Sequence, residues 1–205
     1  MQTRRPLSFL VLVPLAMLSL ASLLAGQTGA PSATAPDVVV YVADVPKSAL
    51  YELEVWPGSA SPGGKMLGLT NTGDNLDPPP ENDPHVTIPV QVRPGISYRC
   101  WVHLLVGRPK GVSKANMVWI QFTGAVDAAN KAVLEPNTRD YLTAQGPEKE
   151  GWVWVGPERR VSFKAGTTNI RIQAGMEGVA FDQVVLSPSR YLDKAPTETI
   201  VPKSR

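Results

Sequence analysis

Past Asp37 the apolar residues of this chain recur with a period of two, in short runs separated by clusters of Gly, Pro, Asn and Asp. A period of two belongs to extended backbone, whose side chains point alternately to opposite faces. Val38, Val40 and Val42 alternate with Val39, Tyr41 and Ala43, so the first run is apolar on both faces and reads as a central strand. Leu50 to Trp56 reads as a second strand. Val86, Ile88, Val90 and Val92 alternate with Thr87, Pro89, Gln91 and Arg93, the pattern of an antiparallel strand with one buried face. Pro89 marks an edge, because it cannot donate to a ladder. Further strands follow at Tyr98–Val106, Met117–Thr123, Trp152–Val155, Arg160–Phe163, Asn169–Gln173 and Val179–Leu186. The long loops fall at 57–84 and 127–151, and only 135–144 offers a helical turn. With 17 glycines and 20 prolines among 205 residues, a mainly helical bundle is not expected, and no internal repeat is present. The pattern predicts an all-β fold, a two-sheet antiparallel β-sandwich or jelly roll.

The compartment is encoded at the start of the chain. Arg4 and Arg5 precede Leu7 to Ala25, which is apolar apart from three serines. That is the layout of a signal peptide, cut after Ala25 or Gly26. An uncleaved membrane anchor is the alternative, since the apolar stretch approaches the ~20 residues needed to span a bilayer. Leu24-Ala25-Gly26 leads into a lipobox, but Gln27 stands where the lipidated cysteine belongs. The expected organisation is a signal peptide at 1–25, a small-residue linker at 26–36, a β-sandwich module at 37–196 and a tail at 197–205, secreted or periplasmic. Of the 20 Lys and Arg residues, Arg4 and Arg5 lie in the leader, so 18 basic residues balance 18 acidic ones beyond it. A nucleic-acid partner is not expected without a basic excess.

Motifs for catalysis are few. His85 and His103 are the only histidines and show no metal-ligand spacing, and no GxSxG occurs. Gly58 to Met66 resembles a phosphate loop but misses the register and ends in Met66. The acidic stretch Asn71 to Asp83 lacks the glycine and terminal glutamate of an EF-hand loop. Cys100, the single cysteine, shares a strand face with Tyr98, Val102 and Leu104 and reads as a buried thiol.

The aromatic residues carry more information. Trp152 and Trp154 share one face of a strand, Trp119 and Gln121 share a face opposite Val118, Ile120 and Phe122, and Arg99, Trp101 and His103 oppose Tyr98, Cys100 and Val102. If the aliphatic sets fill the core, the tryptophans stand outside beside Gln, Arg and His. That combination suits a carbohydrate, since indoles stack on the C–H face of a pyranose while amide and guanidinium groups bond its hydroxyls. The candidate ligand residues are Trp101, His103, Trp119, Gln121, Trp152 and Trp154. The plainer reading is that these tryptophans cover the sheet beneath a long loop.

Gly166 to Gln173, followed by Glu177-Gly178-Val179-Ala180-Phe181-Asp182-Gln183-Val184-Val185-Leu186-Ser187-Pro188, resembles the closing strands of galactose-binding-like jelly-roll modules, the carbohydrate-binding modules of families 6 and 35. Met117 to Phe122 and Ser187 to Leu192 with Ala195-Pro196 look like modules of secreted bacterial proteins of poorly known function. The resemblance covers roughly Asp37 to Pro196. It implies two antiparallel sheets, a non-catalytic role binding a polysaccharide or glycan, and a structural Ca2+ held by Asp182 and Asp44. The usual glutamate pair of the first strand is replaced by Val-Tyr-Val, and Asn116 stands where relatives carry aspartate. Independently of any family, Asp182 shares parity with Val184 and Leu186, so it points inward or sits at the rim and requires a partner. Two other readings remain open: an envelope structural or protein-interaction module with no sugar site, and a small secreted hydrolase built on convergent carboxylates or a histidine pair.

Overall fold

The computed structural model describes residues 35–70, 76–107 and 116–203. The expected signal peptide and residues 26–34 of the expected linker lie outside the described residues. Two antiparallel sheets carry the fold. The first contains β1 (Val38–Tyr41), β3 (Glu54–Pro57), β4 (Lys65–Gly68), β6 (Ser97–Val106), β8 (Ala125–Val126), β10 (Gly151–Val155), β11 (Val161–Phe163) and β13 (Ala180–Ser187). The second runs in the order β2 (Leu50–Tyr51), β5 (His85–Gln91), β12 (Thr167–Ala174), β7 (Met117–Phe122) and β9 (Leu142–Gln145).

The inner faces are those that alternation predicts. Cys100, Val102 and Leu104 of β6, Val118, Ile120 and Phe122 of β7, Ile170 and Ile172 of β12, and Val184 and Leu186 of β13 meet in one core between the sheets. Burial pushes the Cys100 thiol up to about 12, which leaves it inert at neutral pH. Pro89 lies beyond the two residues that β2 pairs on β5, so its missing donor faces an open edge as expected.

Four readings are corrected. The run Leu50 to Trp56 is not one strand: Glu52 takes a left-handed conformation (φ 58°), and the chain passes there from β2 in the second sheet to β3 in the first. Residues 135–144 form no helical turn, because Pro136 and left-handed Asn137 (φ 64°) interrupt them and Leu142 and Ala144 alternate into the core as β9. The first strand is not central. Among the described residues β1 pairs only with β13. Its second face is apolar because the C-terminal segment covers it: Val39 packs in a separate outer cluster with Trp101, Val185, Tyr191 and Val201.

That cluster corrects the expected boundary at 196. Residues 197–203 belong to the sandwich. Gln183 donates from Nε2 to Thr199 O at 2.9 Å and accepts from Val201 N at 3.0 Å, while the Tyr41 hydroxyl donates to Val201 O at 2.9 Å. Val201 is buried beneath these contacts.

Candidate functional site

The six candidate ligand residues are divided between the two sheets. Trp101 and His103 on β6 with Trp152 and Trp154 on β10 stand on the outer face of the first sheet, whereas Trp119 and Gln121 on β7 stand on the outer face of the second. Parity places each on an outer face; exposure differs from expectation. Trp101 and Trp119 are each only 6% exposed. Trp101 is covered by the C-terminal segment and donates its indole N–H to Tyr191 O at 2.7 Å. Trp119 packs edge-on against Tyr141, with ring centroids 6.0 Å apart.

On the second sheet, polar side chains under the surface hold two loops. Gln121, 1% exposed, donates from Nε2 to the carbonyls of Glu135 and Thr138 at 2.9 Å each and accepts from Arg171 Nη1 at 3.3 Å. Arg171 reaches Asn82 Oδ1 at 3.4 Å, and Gln173 donates to Asp77 O at 2.8 Å. Burial lowers the pKa values of Arg171 and His85. A cleft of about 420 Å³ lies between these loops, lined by Asp77, Pro78, Pro79, Pro80, Glu81, Arg139 and Tyr141. Gln121 therefore shapes a cleft wall from below. Arg139 and Tyr141, which line it, give no alternating or motif signal in the sequence.

The first sheet holds a different arrangement. His103 faces Trp152 and Trp154 with ring centroids 4.7 Å away in both cases and interplanar angles of 16° and 32°. Its Nδ1 meets Asp182 Oδ1 at 2.7 Å, and both groups are buried. The aspartate arrives there through a β-bulge. Phe181 lies opposite Leu104 and Gln183 opposite His103, so Asp182 is the extra residue. Asp182 is expected inward or at the rim, and in need of a partner; the extra residue breaks the inward parity it would share with Val184 and Leu186 and turns its carboxylate to the outer-face histidine, which is that partner. Trp154 is tied by its indole N–H to Glu198 O at 2.8 Å. Trp152 and Trp154 remain half-buried.

The proposed calcium ligands do not fit an ion. Asp182 is occupied by His103, and Asp44 forms an exposed ion pair with Lys203. Calcium takes six to eight oxygens, and among the described residues no group of three or more His, Cys, Asp or Glu converges. Asn116 is buried and donates to Gly146 O at 3.0 Å, a structural bond. The two histidines stand on different sheets, His85 on β5 and His103 on β6.

No family model matches the sequence, and no curated protein does. Solved structures do match in fold. A GH26-CBM35 β-(1,4)-mannanase from Podospora anserina aligns with a TM-score of 0.50 at 15% identity, over 82% of this chain and 30% of that one. The fold is a two-sheet antiparallel β-sandwich, a jelly roll. The same jelly roll aligns with the C-terminal family 6 carbohydrate-binding module of the laminarinase LamC from Zobellia galactanivorans, at 11% identity and a TM-score of 0.48, over 74% of this chain and 99% of that one. A family 6 module of Cellvibrio mixtus lichenase 5A, in complex with cellotriose, aligns at 13% identity and a TM-score of 0.46, over 75% of this chain and 98% of that one. The jelly roll here thus spans about a third of the mannanase chain.

Proposed function

We propose that this chain is an exported, non-catalytic glycan-binding module whose site lies on the outer face of the first sheet, at Trp152. One observation carries the reading: Trp152 is a half-buried indole stacked on a histidine that a buried aspartate holds in place. A pyranose stacks on a flat indole through its C–H groups, and a platform fixed before binding loses little entropy when the sugar arrives. The C-terminal segment seals the half of this face that bears Trp101 and reaches as far as Trp154. Trp152 lies on the row beyond, opposite Leu105. The hydrolase alternative loses its histidine pair, because His85 and His103 stand on different sheets, and is left with convergent carboxylates alone.

The test is a tryptophan-fluorescence titration of the chain against a panel of soluble plant, bacterial and animal polysaccharides. Trp152→Ala is expected to weaken binding of the responsive glycan about tenfold or more in a variant that still melts cooperatively, whereas Tyr141→Ala, in the other cleft, leaves it unaltered. A loss confined to Tyr141→Ala would move the site to the second sheet. A silent panel would favour the envelope-module reading. One feature supports that alternative, an apolar groove of about 490 Å³ between the open edges of β1 and β5, lined by Val38, Val40, Ile88 and Val90.

A further inference from the structure

We infer that Trp56 is a second stacking platform on the same face, so that the ligand of this module is a glycan chain of several residues; the inference rests on the reading of Trp152. The register places one outward row across five strands: Glu54 on β3, Gly68 on β4, Ala180 on β13, Leu105 on β6 and Trp152 on β10. Leu67, Phe181 and Leu104, on the neighbouring row, point into the core, which fixes the side of the sheet to which this row belongs.

Trp56 shares the outward parity of Glu54, and its ring leans over Gly68. A Cβ at position 68 would stand 2.4–2.6 Å from three atoms of the indole, so only glycine lets the ring lie on the backbone. The ring is also held at its edge. Its Nε1 donates to Glu54 Oε2 at 2.8 Å, and the same oxygen accepts from Thr70 Oγ1 at 3.0 Å. One face rests on the sheet, the polar edge is tied to a carboxylate, and the residue as a whole is half-buried. Glu54 is exposed beside the ring, and the second oxygen of its carboxylate, Oε1, is an acceptor of the kind that bonds sugar hydroxyls.

Trp56 over β4 and Trp152 on β10 are three strand spacings apart, about 14 Å at 4.7–4.9 Å per spacing. Between them on that row stand Ala180, with no side chain beyond Cβ, and the half-buried Leu105, an apolar floor. A single sugar cannot touch both indoles, whereas an extended oligosaccharide lying across the strands can.

The experiment is calorimetric titration with a disaccharide and a hexasaccharide of each of three linkages, β-1,4-glucan, β-1,3-glucan and β-1,4-mannan, against the full chain and its variants. Hexasaccharide of the recognised linkage is expected to bind about tenfold more tightly than its disaccharide. Trp56→Ala removes that gain and leaves disaccharide affinity within about twofold. Gly68→Ala, which displaces the ring without deleting it, has the same selective effect. Trp152→Ala weakens both ligands, and if it weakens neither, the reading of Trp152 fails whatever Trp56 does. Equal affinity for short and long ligands, or a Trp56→Ala effect equal on both or absent, overturns the second platform. A wild-type chain that binds none of the six sugars overturns it as well.

Discussion

At the scale of single residues, the most consequential contact is the one between His103 and Asp182. A carboxylate 1% exposed cannot stand without a partner. His103→Ala is therefore expected to cost about 3–5 kcal/mol, the range for breaking a buried pair from one side. Asp182→Asn keeps a hydrogen-bonding side chain beside Nδ1 without the buried carboxylate and is expected to cost less. Urea melts of both variants measure the difference, and equal small losses would show that water replaces the imidazole. The same contact bears on metal dependence. Because Asp182 and Asp44 each have a protein partner, chelator is expected to leave the melting temperature unchanged; a drop of several degrees would restore the calcium reading. The need of Asp182 for a partner was legible in the sequence, since any carboxylate on that strand needs one. Which partner it takes was not, because the bulge depends on how β13 registers against β6, and a single strand contains no record of its neighbour's register.

At the scale of elements, alternation predicted the faces well and the limits of burial poorly. Tyr98, Cys100, Val102 and Leu104 are inward, and Arg99, Trp101 and His103 outward, as a period of two demands. That Trp101 is nonetheless buried follows from a segment ninety residues later in the chain, whose contact with β6 leaves no local pattern. Short elements were equally hidden: β4 and β8 are four and two residues long, too few for a period to show. The C-terminal segment yields a direct test. Removal of residues 197–205 uncovers Val201's partners and leaves Gln183 without two hydrogen bonds, so a loss of about 2–4 kcal/mol is expected from the apolar burial and unmet bonds together. A truncated chain with the full melting temperature would return these residues to the status of a tail.

Loops obey the same reasoning. Asp140 binds Arg159 in an ion pair and accepts from Leu134 N at 2.9 Å, fixing the loop that carries Arg139 and Tyr141. The hydrogen bond from Arg159 is the main cause that holds the Asp140 carboxyl below its ordinary value. A depressed carboxylate pKa contributes stability that is present above its unfolded value and lost as pH falls through the folded one. Asp140→Asn is thus expected to flatten the fall of melting temperature on the acid side of the usual carboxylate range, while changing little at neutral pH beyond the lost pair. Because the pair is substantially exposed, the effect is modest and shrinks with added salt.

At the scale of the whole molecule, two sheets give two outer faces, and the chain treats them differently. One carries polar residues that brace loops around a cleft; the other carries aromatic residues, half of them sealed by the chain's own last residues. The sandwich was legible because two-residue periodicity and turn residues are local. The assignment of tryptophans to separate faces was not, because it follows from the order of strands in space. The contact between Tyr41 and Val201 joins positions 160 apart in the sequence, and Lys203 donates its backbone N–H to the same hydroxyl at 3.2 Å. The strand that opens the domain and the residues that finish it are therefore fastened to each other, like the two ends of a belt at its buckle. Neither end can fray alone: loosening the last residues frees the first strand, and a pull on the chain ahead of Asp37 is felt at Val201.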